Sequence, residues 1–174
     1  MFTGRRAEDV FATEPGPWSG LDPDHMAREV VAFVPDEPPA PVPGARDLLV
    51  AARAADTPLA IVTSAGPAWV ERSLAALSLP LDAVDLVVTA RDVVDGKPHP
   101  AGYALACERL DVDPEHAVAA EDSPAGVRAA LGAGVRRVHG IRTTHEHAQL
   151  SAAGAVEVHD DLRPLLAVVP SVSP

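Results

Sequence analysis

Apolar positions divide the chain into an irregular part, residues 1–40, and a regular part, residues 41–174. In the regular part, short apolar runs alternate with stretches whose apolar residues recur at helical spacing. The runs, which predict buried strands, are LAIVT, VDLVVT, HAVAAE, VRRVHG and AVEV. The helical stretches are GARDLLVAARAAD, GPAWVERSLAALS, PAGYALACERL, PAGVRAALGAG, HEHAQLSAAG and DLRPLLAVV. This alternation predicts an α/β fold with a mostly parallel sheet and short right-handed crossovers.

The irregular part is rich in proline and predicts only two short helices. One covers Ala7 to Ala12, and the other begins near Asp22 and continues through HMAREVVAF. The segment from Pro35 to Pro43, PDEPPAPVP, predicts an extended and stiff linker. We therefore expect two units, a small helical one in residues 1–40 and the α/β core in residues 41–174.

Composition narrows the classes of partner and the cellular location. Hydrophobic residues make up 47% of the chain but aromatic residues only 3%, so the core must consist of Ala, Val and Leu. The formal net charge of -11 disfavours non-specific binding to nucleic acid or to an acidic membrane. No apolar stretch reaches the roughly 20 residues that cross a bilayer, and Cys107 is the single cysteine. We expect a cytoplasmic protein with no nucleic-acid or membrane partner.

Polar side chains follow three successive predicted strands. Thr63 to Gly66, TSAG, ends the first of these strands, and Glu121 with Asp122 ends the third. Lys97 lies in the loop after the second strand and follows Gly96, which permits backbone conformations that other residues disfavour. In parallel α/β sheets the carboxyl ends of the strands form the ligand site. The sequence therefore predicts a site at this edge.

Each of these groups has two interpretations. Thr63 lies just before a predicted helix. Its hydroxyl would either bind an anion there or simply cap the helix. Lys97 neutralises a phosphate or is an ordinary exposed lysine. Glu121 and Asp122 suit Mg²⁺, which takes one or two protein carboxylates, but Asp122 or Ser123 could equally cap the next helix. Their order along the chain favours a site more than any one of them does.

Three segments, TSAG, DVVDGKPHPAGY and AAEDSPAGVRAALGAG, resemble motifs two, three and four of the haloacid dehalogenase superfamily. The nearest likeness is to its β-phosphoglucomutase-like branch, in the sugar-phosphatase and glycerol-phosphatase group, and it covers Val42 to Leu166. The segment GRRAEDVF is similar to the first helix of that group's cap domain. The resemblance implies a Rossmann-like, three-layer core with a remnant of a helical cap in residues 1–40.

The resemblance also implies a function, that of a Mg²⁺-dependent phosphatase of small sugar or polyol phosphates. Thr63 and Ser64 would bind the phosphoryl group, and Lys97 would steady its charge. Glu121 and Asp122 would hold Mg²⁺. The expected partner is a small phosphorylated metabolite. The resemblance does not specify the oligomeric state.

The first motif of the superfamily, an apolar strand ending in Asp-x-Asp with the nucleophilic aspartate, has no counterpart. Asp22-Pro23-Asp24 is an Asp-x-Asp sequence, but it follows PGPWSGL, not an apolar strand, and fits a helix cap. We therefore expect the core to lack its first central strand, the sequence to be truncated at its N-terminus with this strand encoded upstream of Met1, and the chain to be inactive. A non-catalytic module that binds phosphate or a phosphosugar, and a phosphosugar mutase, remain alternatives.

Overall fold

The structure, a computed structural model, describes residues 4–33 and 40–170. Its α-helices are α1 Ala7–Thr13, α2 Pro23–Ala32, α3 Ala45–Ala54, α4 Pro67–Ala76, α5 Ala101–Arg109, α6 Pro124–Gly132 and α7 His147–Ala153. Its strands are β1 Ala60–Val62, β2 Leu86–Val88, β3 Val118–Glu121, β4 Arg137–Ile141 and β5 Glu157–His159. Short 3-10 helices occupy Leu81–Ala83, Pro114–His116 and Arg163–Val168. The predicted α/β alternation is confirmed.

All strand pairs are parallel, but the strands form two sheets. β1 pairs with β2, with Ile61 opposite Val87. β4 lies between β3 and β5, with Ala120 opposite His139 in the β3–β4 ladder. The parallel pairing is as expected. Within the described residues β1 and β3 have no ladder between them, as expected of a core that lacks its first central strand.

Each sheet has its own aliphatic core. Helices α6 and α7 pack on β3 and β4 around a larger cluster: Cys107, Ala119, Val127, Ala130, Val135, Val138, Leu150 and Ala153. On the β1–β2 sheet, α4 contributes Val70 and Leu74, which pack with Val84. Both clusters consist of small aliphatic side chains with one cysteine, as the composition predicts.

Helix α5 joins the two sheets. Its Gly102 lies against β1 and β2, because a Cβ placed there would be 3.0 Å from Val62 Cγ1 and 3.9 Å from Val88 Cγ1. Cys107, one and a half turns further along, is buried in the larger cluster. The helix therefore belongs to both cores and fixes the distance between them.

The N-terminal helices α1 and α2 pack against each other. Asp22 caps α2, since its Oδ1 accepts hydrogen bonds from the backbone N–H of Asp24 at 2.9 Å and of His25 at 3.1 Å. These hydrogen bonds lower the pKa of Asp22, that from His25 most strongly. The sequence Asp22-Pro23-Asp24 thus begins a helix with Asp22 as its cap, as its sequence context predicts.

Some boundaries differ from the prediction. The terminal segment DLRPLLAVV, expected to be a helix, is a 3-10 helix over Arg163–Val168, and the Asp161 carboxylate accepts a 2.9 Å hydrogen bond from the backbone N–H of Arg163 at its start. Residues 35–39 of the proposed linker lie outside the described residues. Among the helices of the described ranges, none is both long and apolar enough to span a bilayer.

Candidate active site

Lys97 connects the two sheets at their carboxyl edge. Its Nζ donates a hydrogen bond of 2.9 Å to the carbonyl of Val62, the last residue of β1. The same ammonium group forms an ion pair with Oε1 of Glu121, the last residue of β3. Both side chains are largely buried, with exposed fractions of 12% and 5%. A cation is therefore held between the ends of two strands that do not pair.

Thr63 and Ser64 follow β1 and line the same cleft as Lys97. The Thr63 hydroxyl oxygen accepts a 3.0 Å hydrogen bond from the backbone N–H of Ala65, which leaves its proton for another acceptor. The Ser64 hydroxyl donates to the carbonyl of Gly4 at 3.2 Å. Thr63 therefore supports the turn into α4 and also presents a donor to the cleft.

Glu121 lies against helix α6, whose Gly126 leaves the necessary space. A Cβ at Gly126 would lie 1.8 Å from Glu121 Oε2, so a larger residue would collide with the carboxylate. The Tyr103 hydroxyl donates to Glu121 Oε1 at 2.6 Å. Burial, and then the negative charge of Glu121, raises the pKa of Tyr103 well above its ordinary value. Tyr103 therefore remains a protonated donor at neutral pH.

Asp122 has different partners from Glu121. Its Oδ2 accepts hydrogen bonds from the Thr144 hydroxyl at 3.0 Å and from the Thr143 hydroxyl at 3.3 Å. The next residue, Ser123, caps α6 by accepting the Gly126 N–H at 3.1 Å. The capping role left open between Asp122 and Ser123 therefore falls to Ser123, and the Asp122 carboxylate is held by the loop after β4.

The segment before α1 reaches the cleft. A Cβ at Gly4 would lie 2.0 Å from Ser123 Oγ. Arg6 forms a two-pronged ion pair with Asp9, at 2.7 and 2.9 Å, and donates to the carbonyl of Val94 at 2.7 Å. A Cβ at Gly96 would lie 2.6 Å from Arg6 Nε and would also meet the Asp9 carboxylate, so a larger residue there would displace this ion pair. The φ of Gly96 is not positive, so the chain does not use the conformational freedom of glycine at this position.

A buried threonine organises the loop between β2 and Lys97. The Asp92 carboxylate accepts hydrogen bonds from the backbone N–H and the hydroxyl of Thr89, both at 2.8 Å. Thr89 is only 4% exposed. The two hydrogen bonds lower the pKa of Asp92, that from the backbone most strongly. This closed loop holds the start of the GKP segment in place.

The structure brings most of the predicted site residues together. Thr63, Ser64 and Lys97 line one cleft, and Glu121 joins it through Lys97. Asp122 lies next to it in sequence but faces the Thr143–Thr144 loop. The cleft has a free volume of about 20 Å³, room for about one water molecule. Sequence reasoning missed four other contributors to this region: Arg6, Thr89, Tyr103 and Gly126.

Comparison with known proteins relates this arrangement to a family. The sequence model of the haloacid dehalogenase-like hydrolase family matches residues 5–134 of this chain. The chain is 40% identical over 155 residues to the validoxylamine A 7'-phosphate phosphatase of Streptomyces hygroscopicus subsp. limoneus, covering 87% of this chain and 72% of that protein. It is 37% identical over 115 residues to a phosphorylated carbohydrates phosphatase of Thermotoga maritima, covering 66% of this chain and 53% of that protein.

Solved structures resemble the chain as well. The crystal structure of CbbY from Rhodobacter sphaeroides in complex with xylulose-(1,5)bisphosphate superposes with a TM-score of 0.74 and 32% identity. That comparison covers 97% of this chain and 80% of that one. Sequence and fold therefore both relate the chain to sugar-phosphate phosphatases and their structural neighbours.

Proposed function

Because the chain belongs to the haloacid dehalogenase-like hydrolase family, we propose that its site is that of a phosphatase of small sugar or polyol phosphates, which hydrolyses the ester only when an attacking carboxylate is supplied. The observation that supports this most is the position of Lys97, a largely buried cation held at the ends of β1 and β3. A lysine is a compact charge suited to a phosphoryl group. The two phosphatases to which the chain is similar have phosphorylated carbohydrates or related compounds in their names.

In this proposal the polar groups around Lys97 bind the phosphoryl oxygens. The Thr63 hydroxyl, whose oxygen already accepts the Ala65 N–H, donates to one of them. Ser64 contributes a second donor once its hydroxyl turns away from the Gly4 carbonyl. Lys97 offsets the negative charge that is transferred. Since the cleft has room for about one water molecule, binding requires the Lys97–Glu121 pair to open.

The same site has oxygen ligands that fit Mg²⁺. Asp122 Oδ2 is held by two threonine hydroxyls, while no hydrogen bond to its Oδ1 is recorded among the described residues. Glu121 supplies a second carboxylate, for which Mg²⁺ would compete with Lys97. One or two carboxylates with several waters are the usual protein ligands of this ion. When bound, Mg²⁺ would offset charge on the phosphoryl oxygens.

Neither Asp-x-Asp sequence of the chain follows an apolar strand, as the attacking carboxylate implied by the family resemblance would. Asp22 caps α2, and Asp113 caps the 3-10 helix Pro114–His116 by accepting the Glu115 N–H at 2.9 Å. We propose that the 174-residue chain binds Mg²⁺ and phosphate without hydrolysing phosphate esters. A non-catalytic binding module is the competing interpretation. A phosphatase site should become active when a nucleophile is added, whereas a binding module should not.

The decisive experiment adds the nucleophile. The chain would be extended at its N-terminus by an apolar strand ending in Asp-x-Asp, and Mg²⁺-dependent hydrolysis of p-nitrophenyl phosphate would be measured. We expect no hydrolysis by the 174-residue chain and measurable hydrolysis by the extended one. Within the extended chain, Lys97→Met should lower kcat by about 10²–10³-fold, since it removes a charge that stabilises the transition state.

The control is an identical extension with both aspartates replaced by asparagine, which should fold equally and remain inactive. Circular dichroism would verify that the two extended proteins are equally folded. Hydrolysis by the unextended chain would refute the proposed lack of turnover. Equal inactivity of both extended chains, with phosphate binding retained, would favour the binding module. Interconversion of phosphosugar isomers without release of phosphate would favour a mutase.

A further inference from the structure

Two histidines and a glutamate meet on the β4–β5 ladder, away from the Lys97 cleft. His139 lies opposite Glu157 in the parallel register, and Ile141 lies opposite His159. Side chains two residues apart on a strand point to the same face. Glu157 and His159 therefore share one face of the edge strand, and His139 of the neighbouring strand lies beside them.

The three nearest ligand atoms form a compact triangle. His139 Nδ1 and His159 Nε2 are 3.2 Å apart. Glu157 Oε2 lies 3.7 Å from the first and 3.4 Å from the second. A circle through three atoms with these separations has a radius of about 2.0 Å, and Zn–N and Zn–O bonds are about 2.0–2.2 Å long. One ion can therefore contact all three atoms without their moving.

Burial and charge also suit a metal ligand set. The exposed fractions of the His139 and His159 side chains are 10% and 17%, whereas Glu157 is 65% exposed. The site is thus lined by imidazoles on its inner side and open to solvent at the carboxylate. Burial, and then the neighbouring His159 ring, lowers the pKa of His139, so its imidazole is neutral at pH 7 and has a lone pair to donate.

We propose that His139, Glu157 and His159 form a binding site for a divalent transition-metal ion such as Zn²⁺, which fastens edge strand β5 to β4. Two imidazoles and a carboxylate are ligands that Zn²⁺ accepts, and a fourth position remains for water. Mg²⁺ is not expected there, because it prefers oxygen ligands. This site is separate from the proposed phosphate site and does not depend on phosphatase activity.

The test is a titration of the metal-free chain with Zn²⁺ against a chromophoric chelator, in excess Mg²⁺ so that oxygen-rich sites are filled. We expect one Zn²⁺ per chain. The variants Glu157→Gln and His159→Gln should bind more than about 100-fold more weakly, since even outer-shell changes cost about 10–100-fold. Co²⁺ in place of Zn²⁺ should give the visible absorption of a four-coordinate site, and these variants should lose it.

Two exposed residues outside the triangle provide matched controls. Glu108 of α5 and His147 of α7 are both exposed, and Glu108→Gln and His147→Gln should change the affinity by less than about threefold. Zn²⁺ should also raise the thermal midpoint of the wild type but not that of Glu157→Gln. If His159→Gln fails to fold, the affinity of Glu157→Gln for Zn²⁺ decides the result, because Glu157 is exposed and its replacement should not disturb folding. Failure of the wild type to bind Zn²⁺, or equal binding by Glu157→Gln, would refute the site.

Discussion

The size of single residues determines whether Glu121 can occupy its position. Gly126→Ala would place a Cβ 1.8 Å from Glu121 Oε2, and the buried carboxylate would be driven from Lys97 and Tyr103. We expect the free energy of unfolding to fall by about 1–3 kcal/mol, the cost of leaving a buried polar group poorly paired. Urea denaturation would measure this.

Gly132→Ala is the matched control because it lies in the same helix, where a Cβ would be 3.4 Å from Pro100. Alanine is preferred to glycine in helices by up to about 1 kcal/mol, so Gly132→Ala should be neutral or stabilising. If Gly126→Ala were as stable as Gly132→Ala, the close packing of Glu121 against α6 would not hold in solution.

At this scale the sequence predicted the types of residue at the site but not their contacts. Thr63, Lys97 and Glu121 were identifiable because each follows a predicted strand. That Tyr103 donates to Glu121 could not be predicted, since the contact depends on how α5 packs across two sheets. The crowding at Gly96 could not be predicted either, because it comes from Arg6, which is distant in the sequence.

At the scale of elements, α5 is the helix whose packing is most sensitive. Gly102→Val should separate it from β1, because even a Cβ there would lie 3.0 Å from Val62 Cγ1. Overpacking of this kind costs about 1–3 kcal/mol of unfolding free energy. Ala104→Val, at an exposed position of the same helix, should cost less than about 0.7 kcal/mol through helix propensity alone. Equal losses in thermal denaturation would contradict this packing.

The loop after β2 should make stability depend on pH. The Thr89 hydrogen bonds lower the pKa of Asp92 below its usual 3.8 in the folded chain. Stabilisation by a carboxylate of lowered pKa is complete above the unfolded value and is lost as the pH falls through the folded value. The advantage of the wild type over Asp92→Asn should therefore be greatest near neutral pH and shrink below pH 3.8.

The exposed Asp82 provides a control for this comparison. Asp82→Asn should remain close to the wild type across the same pH range, as measured by urea midpoints at each pH. A constant difference between wild type and Asp92→Asn at all pH values would show that Asp92 acts through shape and not through charge.

The elements themselves were largely predictable, because small apolar runs and helical periodicity are local signals. The gap between β1 and β3 was expected as well, because no apolar strand ending in Asp-x-Asp precedes β1 in the sequence. The C-terminal 3-10 helix was missed. Its apolar periodicity resembles that of an α-helix. In the structure the Asp161 carboxylate accepts hydrogen bonds from both the backbone N–H and the guanidinium group of Arg163.

For the whole molecule, the two sheets with separate cores predict unequal stability. The β3–β4–β5 sheet has the larger buried cluster, whereas β1–β2 packs around a smaller one. Amides of β4, the central strand, should exchange with deuterium more slowly than those of β1, since a local opening of the smaller sheet costs less free energy than global unfolding. Mass spectrometry of peptic fragments would measure this. Uniform protection of both sheets would show a single cooperative unit.

The metal-ligand triangle was also beyond sequence reasoning. His139 and His159 are twenty residues apart in the chain and meet only because β4 and β5 pair in one particular register. The alternation along β5 could have placed Glu157 and His159 on one face, but nothing in the sequence indicates that His139 lies beside them.

The position of Lys97 between the two sheets has a consequence for measurements of affinity. A phosphoryl group held by Thr63 after β1 and by Lys97 beside Glu121 of β3 would add a link between two sheets that Lys97 and α5 already join. Part of its binding free energy would then be used to hold the two sheets together. If the β1–β2 sheet opens before the β3–β4–β5 sheet, saturating ligand should bring their protection from deuterium exchange closer together, and sub-denaturing urea should weaken the apparent affinity before any helix is lost.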